Sequence, residues 1–204
     1  MQNTIDFYFD YSSPFGYLAS ERIEAIALKH NRDVVWHPIL LGAVFKITKQ
    51  APLTQAPLKG DYSIRDFSRS AREHQLSYQH PDMFPIAAVA ACRATIWMRD
   101  NPDTTISAKT GDFLHAVFRA YYTQGQDITD VSLLGRLADS VGIDPAQMST
   151  ALGEQAVKDA LFKEVDNAIQ AGVFGSPMIH VDGEPFWGHD RLEQVDRWLS
   201  TGGW

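Results

Sequence analysis

The chain opens on a short apolar run, Ile5-Asp6-Phe7-Tyr8-Phe9, rich in aromatics and closed by Asp10-Tyr11-Ser12-Ser13. That is the pattern of a buried strand leading into a turn. Pro14 suits the first position of a helix, because its missing N–H is one that a helix start leaves unpaired anyway. Ser13 then falls at the N-cap. Leu18, Ile23, Ile26 and Ala27 make an apolar stripe out to about Lys29, and Val34 to Ile39 reads as a second strand edged by Pro38. Strand, helix and strand in this order predict a right-handed βαβ unit.

The pattern then changes. Gly42 to Tyr62 holds Pro52, Pro57 and Gly60 with little periodicity and reads as a long loop, of the kind that is often functional. Ile64, Phe67 and Ala71 begin a helix whose other face carries Arg65, Arg69 and Arg72. Ile86 to Met98 predicts an Ala-rich helix, and Phe113, Leu114, Val117, Phe118 and Tyr121 another. Val131 to Val141 is a shorter one, and Asp144-Pro145 opens the next as a capped start. Val157, Ala160, Leu161, Val165, Ala168 and Ile169 give the strongest stripe, ended by Gly172. Met178 to Val181 then alternates as a strand, Asp182-Gly183 is a hairpin turn, and Pro185-Phe186-Trp187 begins the partner strand. Asp190 to Leu199 closes the chain as a helix. The two β-containing ends need one another to complete a sheet, so the helical block between them reads as an insertion. The fold class is α/β.

Composition narrows the function. In 204 residues, 45% are hydrophobic, and 18 Lys+Arg stand against 25 Asp+Glu for a net charge of -7. This excludes disorder, and it argues against non-specific nucleic-acid binding, which needs clustered cations. No apolar run reaches the length of a membrane span. Met1 to Asp6 lacks the basic flank and apolar core of an export signal. The single cysteine, Cys92, can form neither an intrachain disulfide nor a cysteine-rich metal site, and in its helix it packs rather than reacts. His30, His37, His74, His80, His115 and His180 show no metal-ligand spacing and read mostly as surface or strand residues. Ser13 has no evident His–Asp partners, and no Gly-rich phosphate loop is present. The expectation is a cytoplasmic protein without nucleic-acid or membrane partners and without a metal.

The candidate chemistry lies at the two β-containing ends. A strand, a sharp turn and a Pro inside a helix start is where thioredoxin-like proteins place Cys-x-x-Cys. Here the tetrapeptide is Ser13-Pro14-Phe15-Gly16, and Ser176-Pro177 stands where that fold carries an X-Pro before its third strand. Without sulfur in that frame, disulfide exchange is excluded there. A helix N-terminus offers unpaired N–H groups and about half a positive charge. A hydroxyl at that point can donate to a bound thiolate. Lowering a thiol pKa by about 2 units needs about 2.7 kcal/mol. One charge-assisted hydrogen bond supplies roughly 1.5–3 and the dipole about 0.3–2. Read alone, Ser13 is more readily a plain helix cap, and Pro177 is equally a proline beginning an edge strand.

Asp6-Phe7-Tyr8-Phe9-Asp10, Ser13-Pro14-Phe15, Phe174-Gly175-Ser176-Pro177 and Trp187-Gly188-His189-Asp190-Arg191-Leu192 together resemble the 2-hydroxychromene-2-carboxylate isomerases. These are bacterial relatives of kappa-class glutathione transferases within the DsbA-like thioredoxin fold. The resemblance implies a thioredoxin-like domain from residues 1–41 and 154–204, and a loop and helical insertion over 42–153. It implies isomerisation of 2-hydroxychromene-2-carboxylate to trans-o-hydroxybenzylidenepyruvate, a step in aromatic degradation, with glutathione as a regenerated cofactor and a homodimer as the assembly. Ser13 would hold the glutathione sulfur. Pro177 would be cis and Ser176 would meet the cysteinyl backbone, because a cis proline presents the preceding backbone groups to an extended peptide. His189 and Asp190, with Arg191 and Leu192, would hold the γ-glutamyl end, Asp190 facing its ammonium.

Lys46, Gln50 and Lys59 are loop candidates for glutathione or an acidic aromatic substrate, and Phe84 for stacking on that substrate. This part of the chain departs from the naphthalene-pathway isomerases. Their loop is rich in Asn and Arg, with an aromatic-Asn-Ser-Arg segment further on, whereas here stand Ala56-Pro57-Leu58 and Phe84-Pro85-Ile86-Ala87. A kappa-like transferase that consumes glutathione, and a non-catalytic glutathione or peptide binder, fit the same motifs.

Overall fold

The computed structural model describes residues 3–204. Met1 and Gln2, part of the segment read for an export signal and the start of the expected first domain segment, lie outside the described residues. Strand β1 (Thr4–Phe9) turns Ile5, Phe7 and Phe9 into the core with no exposure, while Asp6 and Tyr8 face the other way, half-buried. The strand is two-faced rather than wholly buried, since the second face carries polar partners. Helix α1 (Pro14–Lys29) begins with Ser13 as its N-cap, and β2 (Asp33–Pro38) returns parallel to β1, pairing Ile5 with Val34 and Phe7 with Trp36. β2 lies at the sheet edge, where a Pro38 without an N–H interrupts no ladder.

The expected loop over 42–62 is largely helical. It holds α2 (Leu41–Thr48), a 3₁₀ turn (Leu53–Gln55) and the start of α3 (Lys59–Glu73). Eight residues are too few for a periodicity to register, and Gly42 reads as a breaker. What forms α2 is tertiary: Val44 seats in a small apolar cluster with Ile39, Ala168, Val173 and Met178. Pro52 and Pro57 fall between the helices and not inside them.

Helix α4 (Val89–Arg99) starts three residues later than its Ala-rich pattern suggests, and the single-turn α5 (Thr104–Ser107), capped by Asp103, carries too little pattern to be read. Then come α6 (Thr110–Gln124), α7 (Val131–Ser140), α8 (Pro145–Gly153) with the expected Asp144 cap, and α9 (Gln155–Gln170), which ends where Gly172 takes φ +81°. Strands β3 (Met178–Val181) and β4 (Glu184–Trp187) form the expected hairpin, Asp182 and Gly183 both adopting positive φ. A 3₁₀ turn (His189–Arg191) leads into α10 (Leu192–Thr201).

The sheet order is β2-β1-β3-β4, with β3 antiparallel to both β1 and β4. One continuous apolar cluster joins the sheet, α1, the middle helices and α10, and the smaller cluster under α2 and α9 covers part of the other face. Two ionic groups fasten these layers. On the second sheet face His37 bridges Asp6 and Glu164, and Arg99 reaches Glu164 and the Trp36 carbonyl. Between α1 and α6, the buried His115 meets Glu24 at 3.0 Å and lies 3.7 Å from Glu21, which also pairs with Arg119. His115 is therefore an interior helix residue, unlike the strand and surface histidines expected from sequence. Cys92 is buried in α4, and burial pushes its thiol well above the usual range.

Candidate active site

The carboxyl end of β1 turns into α1 around one side chain, Asp10, which is 6% exposed. Its backbone carbonyl accepts the Ser13 N–H at 2.9 Å. Its Oδ1 accepts the Ser12 N–H at 2.8 Å and its Oδ2 the N–H of Leu41, the first residue of α2, at 2.7 Å. Its own N–H donates to the Ser176 hydroxyl at 2.9 Å. Burial pushes the carboxyl up from its ordinary value, against the pull of the Leu41 and Ser12 N–H groups. In the sequence Asp10 stands out only as the end of the Asp6-Phe7-Tyr8-Phe9-Asp10 motif. The local signal was an Asp ending an apolar strand two residues before a serine, the Asx-turn arrangement. Its reach to α2 had no signal.

Ser13 is buried, and its hydroxyl has two partners. It accepts the Gly16 N–H at 3.0 Å, as an N-cap should, and donates to the Ser176 carbonyl at 2.8 Å. The Ser176–Pro177 peptide bond is cis. The Ser176 N–H makes no hydrogen bond among the described residues. α1 approaches this loop so closely that a Cβ on Gly16 would stand 3.0 Å from Ser176 Oγ and 3.1 Å from Ser13 Cβ.

The Pro177 carbonyl accepts the Gly188 N–H at 3.0 Å, which brings the following turn alongside. Gly188 has φ +112°, and a Cβ there would come within 2.5 Å of Asp190 Oδ1. His189 is buried, stacked on Phe15 at 4.5 Å with the edge of His74 at 6.1 Å, and its Nδ1 is sealed without a partner among the described residues. Burial lowers its pKa, so the ring is neutral near pH 7. Asp190 is exposed, caps no helix and pairs with Arg191 at 3.2 Å. Leu192 has no exposure and packs in the core, so only its backbone can face a ligand.

Ser13, Ser176, Pro177, His189 and Asp190 are thus joined through successive contacts. The three candidates of the α2–α3 segment are not. Lys46 on α2, Gln50 just beyond it and Lys59 at the start of α3 are exposed, and their side chains form no hydrogen bond or ion pair among the described residues. Phe84 is half-buried, 4.8 Å from His80 and 6.5 Å from Phe67, and Phe67 meets Phe15 edge-on at 4.9 Å. It therefore connects to the Ser13 turn through an aromatic chain. A cleft between β2, α1 and α6, bounded by Glu24, Trp36, Arg99 and Asp112, gathers none of the expected residues. Among the described residues no group of three His, Cys, Asp or Glu is placed to hold a metal, and no helix is long and apolar enough to cross a membrane. Chemically, the Ser13 hydroxyl and the Phe15 N–H, which has no partner among the described residues, lie at the start of a 16-residue helix, where an anion would be stabilised.

Residues 4–200 match the sequence model of the family described as "DSBA-like thioredoxin domain". The chain is 28% identical over 205 residues to a 2-hydroxychromene-2-carboxylate isomerase from Sphingobium xenophagum, covering 98% of this chain and 99% of the relative. It is 24% identical over 217 residues to glutathione S-transferase kappa 1 of Rattus norvegicus, covering 96% and 92%. A solved 2-hydroxychromene-2-carboxylate isomerase superposes with a TM-score of 0.85 at 24% identity, over 97% of this chain and 94% of that one, a likeness of fold.

Proposed function

Because the chain belongs to the DSBA-like thioredoxin family and matches isomerases and kappa-class transferases along nearly its whole length, we propose that it is an enzyme, a glutathione-dependent isomerase. Its substrate on this reading is 2-hydroxychromene-2-carboxylate or a related intermediate of aromatic degradation, and it works as a cytoplasmic homodimer. The observation that carries the reading is the Ser13 hydroxyl, fixed at the start of α1 and 2.8 Å from the carbonyl that precedes the cis proline.

Three features suit glutathione. Ser13 faces an anion-favouring helix start, the Ser176 N–H is unpaired among the described residues and can meet a peptide carbonyl, and Asp190 presents an exposed carboxylate for an ammonium. Phe15 and the neutral His189 stack into a wall beside them. Glutathione, held by Ser13, Ser176 and Asp190, would supply a sulfur nucleophile for reversible addition to the conjugated carbon of the substrate, which would free the double bond to turn and leave the cofactor unconsumed.

Ser13 holds that sulfur as a thiolate. Its hydrogen swings from the Ser176 carbonyl to the sulfur while its oxygen keeps the Gly16 N–H, exchanging a neutral hydrogen bond for a charge-assisted one worth roughly twice as much. Asp10 keeps the turn in place throughout, because four of its polar contacts end on the site's backbone and on Ser176.

The test is a pH titration of the ultraviolet thiolate absorbance of bound glutathione, with Ser13→Ala alongside. Thiolate forming well below the ordinary thiol pKa of about 8.5, and lost in the variant, is the expected outcome. Binding without that shift would mean a passive groove. The kappa-class relatives favour a second reading, transfer of glutathione to small electrophiles. Product analysis separates the two, because only the transferase accumulates an adduct.

A further inference from the structure

We propose that His80 is a catalytic proton carrier for the isomerisation, moving one proton between two oxygens of the bound substrate. This rests on the isomerase reading and deepens it.

The segment from Ser77 to Phe84 is pinned against α1 and α6 by three hydrogen bonds. Tyr17 donates its hydroxyl to the Ser77 carbonyl at 2.8 Å, Gln79 N–H donates to the Tyr122 carbonyl at 2.6 Å, and Tyr121 donates to the Met83 carbonyl at 2.6 Å. The segment carries an imidazole into a mostly apolar aromatic cluster. His80 lies 4.8 Å from Phe84 and stacks on Phe67 at 6.2 Å, and Phe67 in turn packs on Phe15 of the Ser13 turn. A flat aromatic substrate reaching from the Ser13 turn along these rings meets the His80 imidazole, a group able to take and return a proton.

The geometry of that group suits the task. Nδ1 is 2.8 Å from the Tyr78 hydroxyl, and Tyr78 is itself stacked on Tyr122 at 5.7 Å, so the imidazole is oriented by a fixed partner. Nε2 has no partner among the described residues and is not sealed from solvent. In the tautomer the proposal uses, Nδ1–H donates to the Tyr78 oxygen and Nε2 carries the lone pair. Burial lowers the imidazole's pKa, which keeps that lone pair available near neutral pH. Asp82 is the charged group that acts on His80, in the opposite direction, and Tyr78, pushed up by burial, stays protonated. The rings of Phe67 and Phe84 carry no charge.

The reaction needs such a carrier because a 2-hydroxychromene-2-carboxylate is a cyclic hemiketal. To open it, the bond between C2 and the ring oxygen breaks with its electron pair leaving on the ring oxygen. The C2 hydroxyl loses its proton, and its oxygen electrons form the ketone. Nε2 takes that proton and returns it to the ring oxygen, which becomes the phenol. Protons balance, His80 ends neutral, and no oxidant or reductant is involved. The open chain then presents the conjugated double bond that is to be turned.

The experiment compares wild-type protein with His80→Gln, which can still hydrogen-bond to Tyr78 but does not titrate, and with His80→Phe. Three readouts are taken: kcat against pH with 2-hydroxychromene-2-carboxylate, the thiolate titration of bound glutathione, and the Nε2 nitrogen resonance on adding o-hydroxycinnamate. The expected result is a fall in kcat of roughly 10²-fold, loss of the acid limb of the profile, an unchanged thiolate titration, and a shifted Nε2 resonance. Wild-type-like kcat at every pH in His80→Gln overturns the proposal, and so does loss of the thiolate titration in both variants, which would mark a structural role. If wild-type protein turns over no chromene carboxylate, the isomerase reading fails, and an unmoved Nε2 resonance would then overturn the His80 assignment on its own.

Discussion

Asp10 shows how much of the site rests on one side chain. An isosteric Asp10→Asn keeps the shape but leaves one oxygen for two N–H donors, so the new amide group faces either Ser12 N–H or Leu41 N–H, donor against donor. Leaving a buried donor unsatisfied costs about 1–3 kcal/mol. Denaturant unfolding of Asp10→Asn is expected to show a loss of that size, accompanied by weaker thiolate formation on bound glutathione, because Ser12, Ser13 and Leu41 hang on the same residue. A variant as stable as wild type with an unchanged thiolate titration would show that the Ser13 turn is held by other groups. His189 and Leu192 mark the opposite limit of residue-level reading. Their neighbours in sequence suggested one shared turn, yet one ring stacks on Phe15 and the other side chain disappears into the core.

At the scale of elements, the start of α1 and the loop before β3 are packed so closely that a methyl group at position 16 makes its neighbours give way. Gly16→Ala gains about 1 kcal/mol in helix propensity and must push against Ser176 Oγ and Ser13 Cβ. The two effects oppose one another in stability, so the melting temperature of Gly16→Ala should stay near wild type. The displacement falls on the two serines of the site, and kcat should drop by at least tenfold. Thermal unfolding and steady-state kinetics on the same preparation separate these effects. Unchanged kcat would mean that the two elements have room to part. Helix α2 makes the complementary point. Nothing in its eight residues announced a helix, and its place follows from Val44 in the small cluster and from Asp10 accepting the Leu41 N–H.

Across the whole molecule, two ionic groups tie helices to helices and helices to sheet, and they set how stability varies with pH. Burial alone would raise Glu21 and Glu164. The contacts of His115 and Arg119 with Glu21, and of His37 and Arg99 with Glu164, outweigh it and hold both carboxyls at about 2. A carboxyl that titrates lower when folded contributes stability present above its ordinary value of 4.5 and lost as pH falls toward 2. His115 runs the other way. Burial opposes its charge, but Glu21 and Glu24 raise it from 6.5 to about 9. Its contribution is complete below 6.5 and is lost as pH rises through 9. Unfolding free energy should therefore be highest between 4.5 and 6.5 as far as these groups decide it. His115→Gln should lose roughly 1.5–3 kcal/mol at pH 6 and flatten the alkaline limb. Urea titrations across pH check this, and an alkaline limb that survives the substitution would assign it to another group.

The order of elements at both chain ends, the Ser13 cap, the Asp144 cap, the Asp182-Gly183 hairpin and the end of α9 at Gly172 were legible in the sequence, because each is fixed by the conformational preferences of a few adjacent residues. The family resemblance was legible for the same reason, since its motifs are short and lie where strands meet turns. The contacts that make the site were not. Asp10 reaching α2, Ser13 donating to Ser176 in the loop before β3, His189 lying on Phe15 and His115 buried against α1 each join residues far apart in the chain. Only the packing of helices on the sheet decides which distant groups meet, and with them which polar atoms find partners and which remain free to act.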